Sequence, residues 1–564
     1  MRSHTILAFS LSSLLAACTA YIDGPAGSDP SGLPGPSGVS APTGDQPAPT
    51  AISPQAAADF PLPAGAGARP RLWRLTEAQY RSALKDALGL TDVGALPADD
   101  GGAFGNRADL LDVSPLLLAA YSDIAEKAAE QLIPAKLAEL ATCQPLDAAN
   151  AICADSLIRG VGKRLWRRAL TDDEVSALKK LHTDVTAQLD GNAGLQAVLQ
   201  ALLTSPKLVF RSEVGAPVSG STSRRLTPDE VASALSFGLW GTTPDAPLLD
   251  AAAQGKLAQA SDIAAQARSM LQDPRARDVA SDFVARWLGI DDVANSTKSA
   301  PLFPAFSATL MQSIANEAQQ FAGATLWNGG GGLRALLTST SAFVSAQTAP
   351  LYGLKSAPAV PQLTELNPAE RLGILTQAAF LSAHASEDAT KPVLRGKFIR
   401  ENLLCQNVPA PPPNVNVDIP AAGPNQTARE RFVAHSTDPS CSGCHQLFDG
   451  LGFAFENYDA LGQYRTLDNG KVVDASGTLS DPASGTSQSF RNALDLVRML
   501  ADNDQTYRCF TQRLFESFFG RTPVQSDVPD LERAQTAFHD AGYDVKSLLA
   551  QLATSDGFLQ RQAQ

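Results

Sequence analysis

The sequence predicts a mainly α-helical protein with several domains and one short β-hairpin in its C-terminal part. A helix-start signal, in which threonine is followed three residues later by glutamate or glutamine, recurs at Thr76–Gln79, Thr171–Glu174 and Thr227–Glu230. In this capping box both side chains bond to N–H groups that the first helical turn leaves without partners. Apolar residues follow each signal at the three- and four-residue spacing of a helix face. The chain has 564 residues, of which 44% are hydrophobic, so it can bury several cores.

The N-terminus has the pattern of an exported protein. A mostly apolar stretch, Thr5–Ala17, is too short to span a bilayer and is typical of a secretory signal. It closes with Leu15-Ala16-Ala17-Cys18, which resembles the lipobox of bacterial lipoproteins, and Thr19 follows instead of an inner-membrane retention aspartate. We therefore predict a lipoprotein signal peptide over residues 1–18 and an outer-membrane location, at the periplasmic face or the cell surface, through a lipid on Cys18. The alternative is an ordinary cleaved signal peptide in which Cys18 is incidental.

The remaining chain divides by composition into a tether and three helical regions. Residues 19–68 are rich in Pro, Gly, Ser and Ala and have no apolar period, which predicts a disordered tether. We predict N-terminal helical modules over residues 69–215, a central helical module over residues 220–355 and a C-terminal domain over residues 365–564.

Local signals predict individual elements inside these regions. Gly89 predicts the end of the first helix, and Ser114-Pro115 predicts the start of the second. In the C-terminal domain, apolar spacing predicts helices over Leu372–Ala383 and Thr427–His435. Asp468-Asn469-Gly470 predicts the turn of the β-hairpin, and we expect two amphipathic helices to finish the chain.

Cys441-Ser442-Gly443-Cys444-His445 is the stretch with the most specific chemistry. Two cysteines separated by two residues, with a histidine directly after them, form the pattern that holds a c-type haem. Each thiol adds across one vinyl group of the porphyrin, and the histidine becomes the proximal ligand of the iron. We therefore predict one haem c in a cytochrome-c-like C-terminal domain. The alternatives are a disulfide, a redox-active cysteine pair or half of a zinc site, for which no second Cys/His pair is visible nearby.

Further residues are candidates for contacts with this haem. The sixth iron ligand has three candidates, which are Met499, His384 and His435. Met499 lies in an apolar helical stretch, however, where a core methionine is the usual reading. Three basic side chains are candidate partners of the haem propionates, namely Arg395, Lys397 and Arg465. The apolar and aromatic residues of the segment 448–459 are expected to wall the porphyrin.

The other cysteines predict two disulfides, because an exported chain folds in an oxidising compartment. Cys143 and Cys153 are close enough in sequence for a local bond between two helices. Cys405 and Cys509 remain as the second pair, with two free buried thiols as the alternative.

Charge and motif content exclude several function classes. The net charge of −13 and the isoelectric point near 5.0 argue against nucleic-acid binding and against direct docking on acidic lipid. The sequence contains no P-loop, no HExxH and no recognisable Ser/His/Asp order.

Motifs along the chain also carry a family resemblance. In order they are Trp73-Arg74-Leu75-Thr76 with Tyr80-Arg81, Lys163–Thr171, Arg225-Leu226-Thr227 with Leu239-Trp240, Arg395-Gly396-Lys397 with the CxxCH and Gly452–Asp459, and Cys509 with Gly520-Arg521. Together they are similar to a family of large secreted bacterial proteins built from five consecutive modules of unknown function, the last two being cytochrome-c-like. The resemblance implies an exported, haem-bearing protein and supplies no substrate.

These observations favour a redox carrier with a six-coordinate haem. It would pass electrons between a periplasmic or cell-surface oxidoreductase partner and the respiratory chain. One alternative is a peroxidase- or oxidase-like haem enzyme with an open iron site. The other is a non-haem surface lipoprotein with a Cys441–Cys444 disulfide, which would bind a polysaccharide or small molecule or act as a scaffold for a partner protein.

Overall fold

The structure is a computed structural model that describes residues 62, 68–327, 332–409, 423, 425–436, 439–482 and 485–562, without the side chains of residues 433–441. Cys18, the predicted signal peptide and nearly all of the predicted tether lie outside the described residues. The described residues belong to one unit, Ser53–Gln564.

The described residues form 22 α-helices and five small β-sheets, which confirms the mainly helical prediction. The N-terminal region contains α1 (Glu77–Leu88), α2 (Pro115–Leu132), α3 (Leu137–Leu140), α4 (Ala151–Trp166), α5 (Asp172–Gln188), α6 (Gly191–Leu203) and α7 (Pro206–Val209). The central region contains α8 (Pro228–Trp240), α9 (Ala246–Ala253), α10 (Ala260–Met270), α11 (Pro274–Trp287), α12 (Ala308–Trp327) and α13 (Gly332–Thr338). The C-terminal region contains α14 (Ala378–Ala383), α15 (Pro392–Phe398), α16 (Ala428–Ser436), α17 (Pro439–Phe453), α18 (Ala493–Ala501), α19 (Asp504–Phe519), α20 (Val528–Asp540), α21 (Val545–Leu552) and α22 (Asp556–Leu559).

The predicted helix starts are confirmed by their caps. Thr76, Thr171 and Thr227 each accept a hydrogen bond from the backbone three residues later, and each capping box is complete. Ser114 caps α2 in the same way, through the N–H of Leu117. Gly89 ends α1 with a φ of 71°, a left-handed conformation that favours glycine. These signals were readable because each cap involves residues that are close in sequence.

The strands are short, and two of their pairings join distant parts of the chain. They are β1 (Arg71–Arg74), β2 (Phe210–Glu213), β3 (Ala216–Pro217), β4 (Ser223–Arg225), β5 (Ser341–Val344), β6 (Gln362–Glu365), β7 (Leu467–Asp468), β8 (Lys471–Val472), β9 (Gly477–Asp481), β10 (Thr486–Phe490) and β11 (Gln560–Gln562). β1 pairs antiparallel with β2, with Arg71 opposite Glu213. β11 pairs antiparallel with β4, so the C-terminal strand returns to the middle of the chain.

The predicted hairpin is formed by β7 and β8. Asn469 and Gly470 connect these strands, and both have positive φ angles, of 49° and 79°. Positive φ at both central residues is the signature of the two-residue hairpin turn that Asn-Gly favours.

Buried apolar side chains form two cores. The first extends from Leu75 to Val209 and also takes in Phe237. The second extends from Leu226 to Leu559 and also takes in Phe104. The second core is continuous across residues 355–365, so the central module and the C-terminal domain share their packing.

The prediction of one helix over Leu372–Ala383 is wrong. A 3₁₀ turn over Ile374–Thr376 precedes α14, and the two are separated by an extended residue. Gly373 causes the break, because its φ of 62° is left-handed and its Cα lies against the carbonyl of Leu337. The break thus depends on a contact that is distant in sequence.

The expectation of two final helices is also wrong, since α18 to α22 are five helices. Polar caps divide the amphipathic stretch: Asn503 caps α19, Asp544 caps α21 and Ser555 caps α22. Gly520 ends α19 with a φ of 57°.

Candidate functional site

The CxxCH sequence lies in the first half of α17. This helix begins at Pro439, and proline suits the first turn because that turn leaves its N–H groups unbonded. Cys444 is a half-buried free thiol, and His445 follows it on the same turn. The backbone of Cys441 is helical, whereas its side chain lies outside the described residues. Helical spacing brings positions 441, 444 and 445 to one side of α17.

His445 is oriented by a carboxylate on its own helix. Its Nδ1 lies 2.9 and 3.0 Å from the two side-chain oxygens of Asp449. The His445 and Asp449 side chains are 16% and 10% exposed, so the pair is largely shielded from water. A carboxylate accepts hydrogen bonds, which places the imidazole proton on Nδ1 and the lone pair on Nε2. Metal-binding histidines are commonly oriented by such a carboxylate partner.

Two glycines let α15 and α17 cross through their backbones. A Cβ added at Gly396 would lie 1.9 Å from the carbonyl oxygen of Phe448. A Cβ added at Gly452 would lie 1.7 Å from the carbonyl oxygen of Pro392. Neither space admits an alanine, so the crossing requires glycine at both positions. The crossing fixes the CxxCH helix against the second core.

Arg400 connects the turn after His445 with the strand β9. It lies in a π-helical turn, Ile399–Leu403, that continues α15, and it is 1% exposed. Its Nε donates to the carbonyl of Leu447 at 3.0 Å, and its Nη1 donates to the carbonyl of Ser480 at 2.8 Å. Burial lowers the pKa of Arg400 to about 10, so the guanidinium remains charged at neutral pH.

The aromatic side chains predicted to wall a porphyrin are divided between different places. The Phe448 ring lies beside His445, with ring centroids 5.1 Å apart. Phe455 packs on Phe380 in the second core, with centroids 6.0 Å apart. Tyr458 is 1% exposed and belongs to the same core. Phe448 is therefore the aromatic residue of this segment that the structure brings to the histidine by ring contact.

Two of the predicted propionate partners are paired with a buried carboxylate instead. Arg465 Nη2 lies 3.0 Å from Glu456 Oε2, and Arg395 Nη1 lies 3.8 Å from Glu456 Oε1. We call these three residues the Glu456 cluster. Burial raises the pKa of Glu456, and the charges of Arg395 and Arg465 oppose this only partly. Lys397, the third candidate, lies 3.7 Å from Glu401 at the surface.

His384 directly follows α14 and packs between two phenylalanine rings. Its centroid lies 4.5 Å from that of Phe380 and 4.2 Å from that of Phe398. Its Nε2 lies 2.8 Å from the carbonyl oxygen of Leu288 and donates to it, which leaves the lone pair on Nδ1. Burial lowers the pKa of His384 to about 4, so the imidazole is neutral at physiological pH.

Met499 is half-buried on α18 and lines a cavity of about 790 Å³. Gln406 and Ser480 line the same cavity, and Arg400 bonds to both. Arg400 thus stands between Met499 and the helix that carries His445. The side chain of His435, the remaining candidate for the sixth ligand, lies outside the described residues.

Both predicted cysteine pairs form disulfides in the structure. Cys143 is bonded to Cys153, with Cα atoms 5.1 Å apart. Cys405 is bonded to Cys509, which lies 104 positions later in the sequence, with Cα atoms 5.3 Å apart. The second bond ties the chain just after Arg400 to α19.

Sequence reasoning missed three features of this site. Asp449 was detectable, because it stands four residues after His445 on the same helix face. The partners of Arg400 and the Gly396–Gly452 crossing had no local signal, since each contact joins segments about 50 residues apart or more.

Metal-binding clusters and membrane-spanning helices are both absent from the described residues. No group of three or more His, Cys, Asp or Glu side chains there could hold a metal ion. Within the same residues, no helix combines the length and the apolar character that crossing a membrane requires.

Five family models match the chain, and they follow one another along it. Each is described as a protein of unknown function: DUF1587 at residues 73–134, DUF1595 at 153–213, DUF1592 at 226–354, DUF1588 at 371–468 and DUF1585 at 486–558. The CxxCH and the Glu456 cluster lie within the DUF1588 match. No curated protein and no solved structure matches the chain. The protein is therefore a chain of five consecutive modules of unknown function, as the motifs along its sequence predicted.

Proposed function

We propose that the protein is an exported lipoprotein that carries one haem c and transfers electrons to or from a partner oxidoreductase. The observation that carries the proposal is the pair formed by His445 and Asp449, directly after the half-buried free thiol of Cys444. Holding Nδ1 on a shielded carboxylate orients an imidazole for ligation through Nε2. A disulfide between Cys441 and Cys444 would give no reason for this arrangement of the histidine.

The residues present fit a c-type haem. Cys441 and Cys444 would hold it through thioether bonds, and His445 would ligate the iron. Asp449 would increase the basicity of the imidazole, which favours the oxidised iron. The Gly396–Gly452 crossing would keep this helix in one position while the charge of the iron changes. When bound, the haem supplies one-electron chemistry.

The sixth ligand decides between a carrier and an enzyme. His384 is a candidate for the carrier, because its imidazole is neutral and donates through Nε2 to Leu288, which leaves Nδ1 as the atom that could ligate iron. Met499 and His435 remain the other candidates. An open sixth position would instead give peroxidase- or oxidase-like chemistry. A lipid on Cys18 would keep the protein at the outer membrane, near a membrane-bound or cell-surface partner.

The test is to export the full chain together with a cytochrome c maturation system. Intact mass and a pyridine haemochrome spectrum should report one covalent haem. A Cys441→Ala/Cys444→Ala variant should lose it, because both thioether bonds are removed. The matched control is Cys143→Ala/Cys153→Ala, which removes two cysteines elsewhere and should keep the haem. The spin state of the oxidised protein then separates a six-coordinate carrier from an open-site enzyme.

A second variant addresses the residue that orients the ligand. Asp449→Asn should keep the haem and raise its midpoint potential, because a neutral amide makes the imidazole a weaker donor to the oxidised iron. An unmodified mass with no Soret absorption in the wild-type protein would end the haem proposal and leave a disulfide-bonded or scaffold protein.

A further inference from the structure

A cavity of about 680 Å³ lies where four of the five modules meet. Trp73 comes from the first matched module, Arg211 from the second, Trp240 from the third and Leu514 from the fifth. The volume falls within the range of small-molecule sites, roughly 300–1,000 Å³. Each module contributes only part of the wall, so the cavity depends on their assembly.

Arg211 is a buried cation in the wall of this cavity. It is 3% exposed, and its guanidinium carbon lies 3.5 Å from the centroid of the Trp73 ring. Among the residues that the structure describes, its Nε and Nη1 have no hydrogen-bond partner. Burial lowers the pKa of Arg211 to about 9, which still leaves it protonated at neutral pH. A buried N–H group without an acceptor is unusual in a folded protein and requires an explanation.

Arg167 shows how this protein satisfies a buried arginine that has a structural role. It is 4% exposed, and burial lowers its pKa to about 9, as for Arg211. Unlike Arg211, it donates to four backbone carbonyl oxygens, those of Leu165, Lys207, Leu208 and Phe210. A buried arginine in this protein can therefore be bonded through both of its terminal nitrogens. In the described part of the chain, Arg395 shares the unbonded Nε and Nη1 of Arg211, but it does not line this cavity, so the combination of unbonded N–H groups and an adjoining cavity is what sets Arg211 apart.

The charge around Arg211 is not neutralised within the protein. Its nearest carboxylate is Glu213, whose Oε1 lies 3.7 Å from Arg211 Nη2. The other oxygen of Glu213 is already bonded to Arg71 at 2.8 Å and to Arg561 at 2.6 Å. We call these four residues the Glu213 cluster. One glutamate faces three arginines, so the cluster carries an excess of positive charge, and Arg211 is its member in the cavity wall.

Three of the acidic residues that line the cavity have cationic partners of their own. Glu77 is paired with Arg81 at 2.8 Å, and Asp282 is paired with Arg286 at 2.9 Å. Asp99 is likewise bonded to Arg74. Asp86 and Asp278, the other described carboxylates of the lining, are exposed, and neither accepts a hydrogen bond from Nε or Nη1 of Arg211. The buried charge of Arg211 is therefore available to a ligand.

The rest of the cavity wall favours a ligand with an aromatic ring. Phe104 and Phe283 line the cavity and stack on each other, with centroids 5.6 Å apart. Trp240 adds a third ring, which carries Arg275 at 3.6 Å from its centroid. A guanidinium matches the planar geometry of a carboxylate, and aromatic walls favour ring-on-ring contact. We propose that this cavity binds a small aromatic carboxylate, with the carboxylate on Arg211 and the ring against the aromatic wall.

The proposal is independent of the haem function, because none of the described residues that line the cavity belongs to the DUF1588 module. The test is calorimetric titration of the full-length exported protein with 2-naphthoate, with the neutral 2-naphthamide, and with inorganic phosphate. The naphthoate should bind more tightly than the amide by at least about tenfold, because the amide leaves the cation without a counter-charge. This comparison uses the wild-type protein and therefore does not depend on the folding of a variant.

Two variants test whether Arg211 causes the preference for naphthoate over the amide. Arg211→Met should bind both naphthalene compounds equally, since it keeps a flexible, unbranched side chain and removes its charge. Arg275→Met is the matched control, because Arg275 lines the same cavity but is bonded to Asp273, and it should keep the preference. Equal or undetectable binding of both compounds by the wild type, or an unchanged preference in Arg211→Met, would overturn the proposal. Phosphate that binds as tightly as naphthoate would overturn the assignment to an aromatic ligand.

Discussion

The Glu213 cluster and the Glu456 cluster each bury one glutamate beside arginines, but the pKa of the glutamate shifts in opposite directions in the two clusters. Both glutamates are 2% exposed, and both face arginines. Burial alone would raise the pKa of Glu213, but the charges of Arg71, Arg561 and Arg211 lower it overall. For Glu456 burial prevails, and the pKa is raised.

Contact distance explains the difference better than the number of arginines. Glu213 has two contacts at 2.6 and 2.8 Å in addition to the more distant Arg211. Glu456 has one contact at 3.0 Å and a second at 3.8 Å, which is too long for a hydrogen bond. Among the described residues, its Oε1 has no hydrogen-bond partner. A buried carboxylate is therefore held ionised by direct hydrogen bonds to its cations, and nearby charge at longer range is a weak substitute.

Glu213→Gln should give the largest loss of stability. The substitution leaves three buried arginines without their shared carboxylate, and breaking a buried pair in this way costs about 3–5 kcal/mol. The measurement is the free energy of unfolding from urea titration at pH 7. Adding Arg211→Met to Glu213→Gln should recover part of the loss, because one uncompensated charge is removed. No recovery would mean that charge imbalance is not the cause.

Gly396→Ala should give the next largest loss of stability. It tests the close crossing of α15 and α17, which holds Arg395 near Glu456. The new methyl group would meet the Phe448 carbonyl, so α15 and α17 must separate, at a cost of about 3 kcal/mol. Gly443→Ala on α17 is the control, since a Cβ there has open space and alanine favours the helix by about 0.5–1 kcal/mol. Equal stabilities of the two variants in urea titration would contradict the close crossing.

Titration of His384 should give the next largest effect, which is a dependence of folding stability on pH. Arg395 donates to its carbonyl, so it borders the Glu456 cluster. The pKa of His384 is about 4 in the folded protein, against 6.5 for an ordinary histidine, so unfolding takes up a proton between these values. Stability from the neutral ring is complete above pH 6.5 and should fall by about 3 kcal/mol as the pH drops to 4.

The measurement for His384 is urea titration of the wild type and of His384→Gln across this pH range. The glutamine variant should lose the dependence, because its amide does not titrate. His539→Gln, at an exposed histidine, should retain it. A wild-type slope that persists in His384→Gln would assign the acid sensitivity to another group.

Glu456→Gln should give the smallest effect, about 1 kcal/mol. An amide oxygen can still accept from Arg465 and from the Thr390 hydroxyl, which donates to Glu456 at 2.8 Å. The raised pKa already disfavours the charge that the substitution removes. Urea titration beside Glu213→Gln makes the comparison direct, and an equal loss in both variants would show that the two clusters do not differ.

Much of the fold could be predicted from the sequence, because its signals are formed by residues that are close in sequence. The boxes at Thr76, Thr171 and Thr227, the stop at Gly89 and the turn at Asn469-Gly470 each involve neighbouring residues. Patterns of this kind have a fixed spacing, so a single sequence is enough to recognise them.

The missed features depend on contacts between distant segments. Glu213 meets Arg71 across 142 residues and Arg561 across 348 residues. The break at Gly373 depends on the carbonyl of Leu337, and the site helix depends on glycines of two different helices. None of these has a local pattern, because the partners are brought together only by the tertiary fold. At the candidate site, the CxxCH was evident, whereas the surroundings that hold it were not.

The pairing of β11 with β4 bears on the order in which the fold can close. Arg561 stands 348 residues after Glu213, so Glu213 can meet Arg71 before the segment that holds Arg561 is in place. The strand Gln560–Gln562 therefore closes the Glu213 cluster last. A product cut before residue 561 would lose this strand pairing and be exposed to proteolysis.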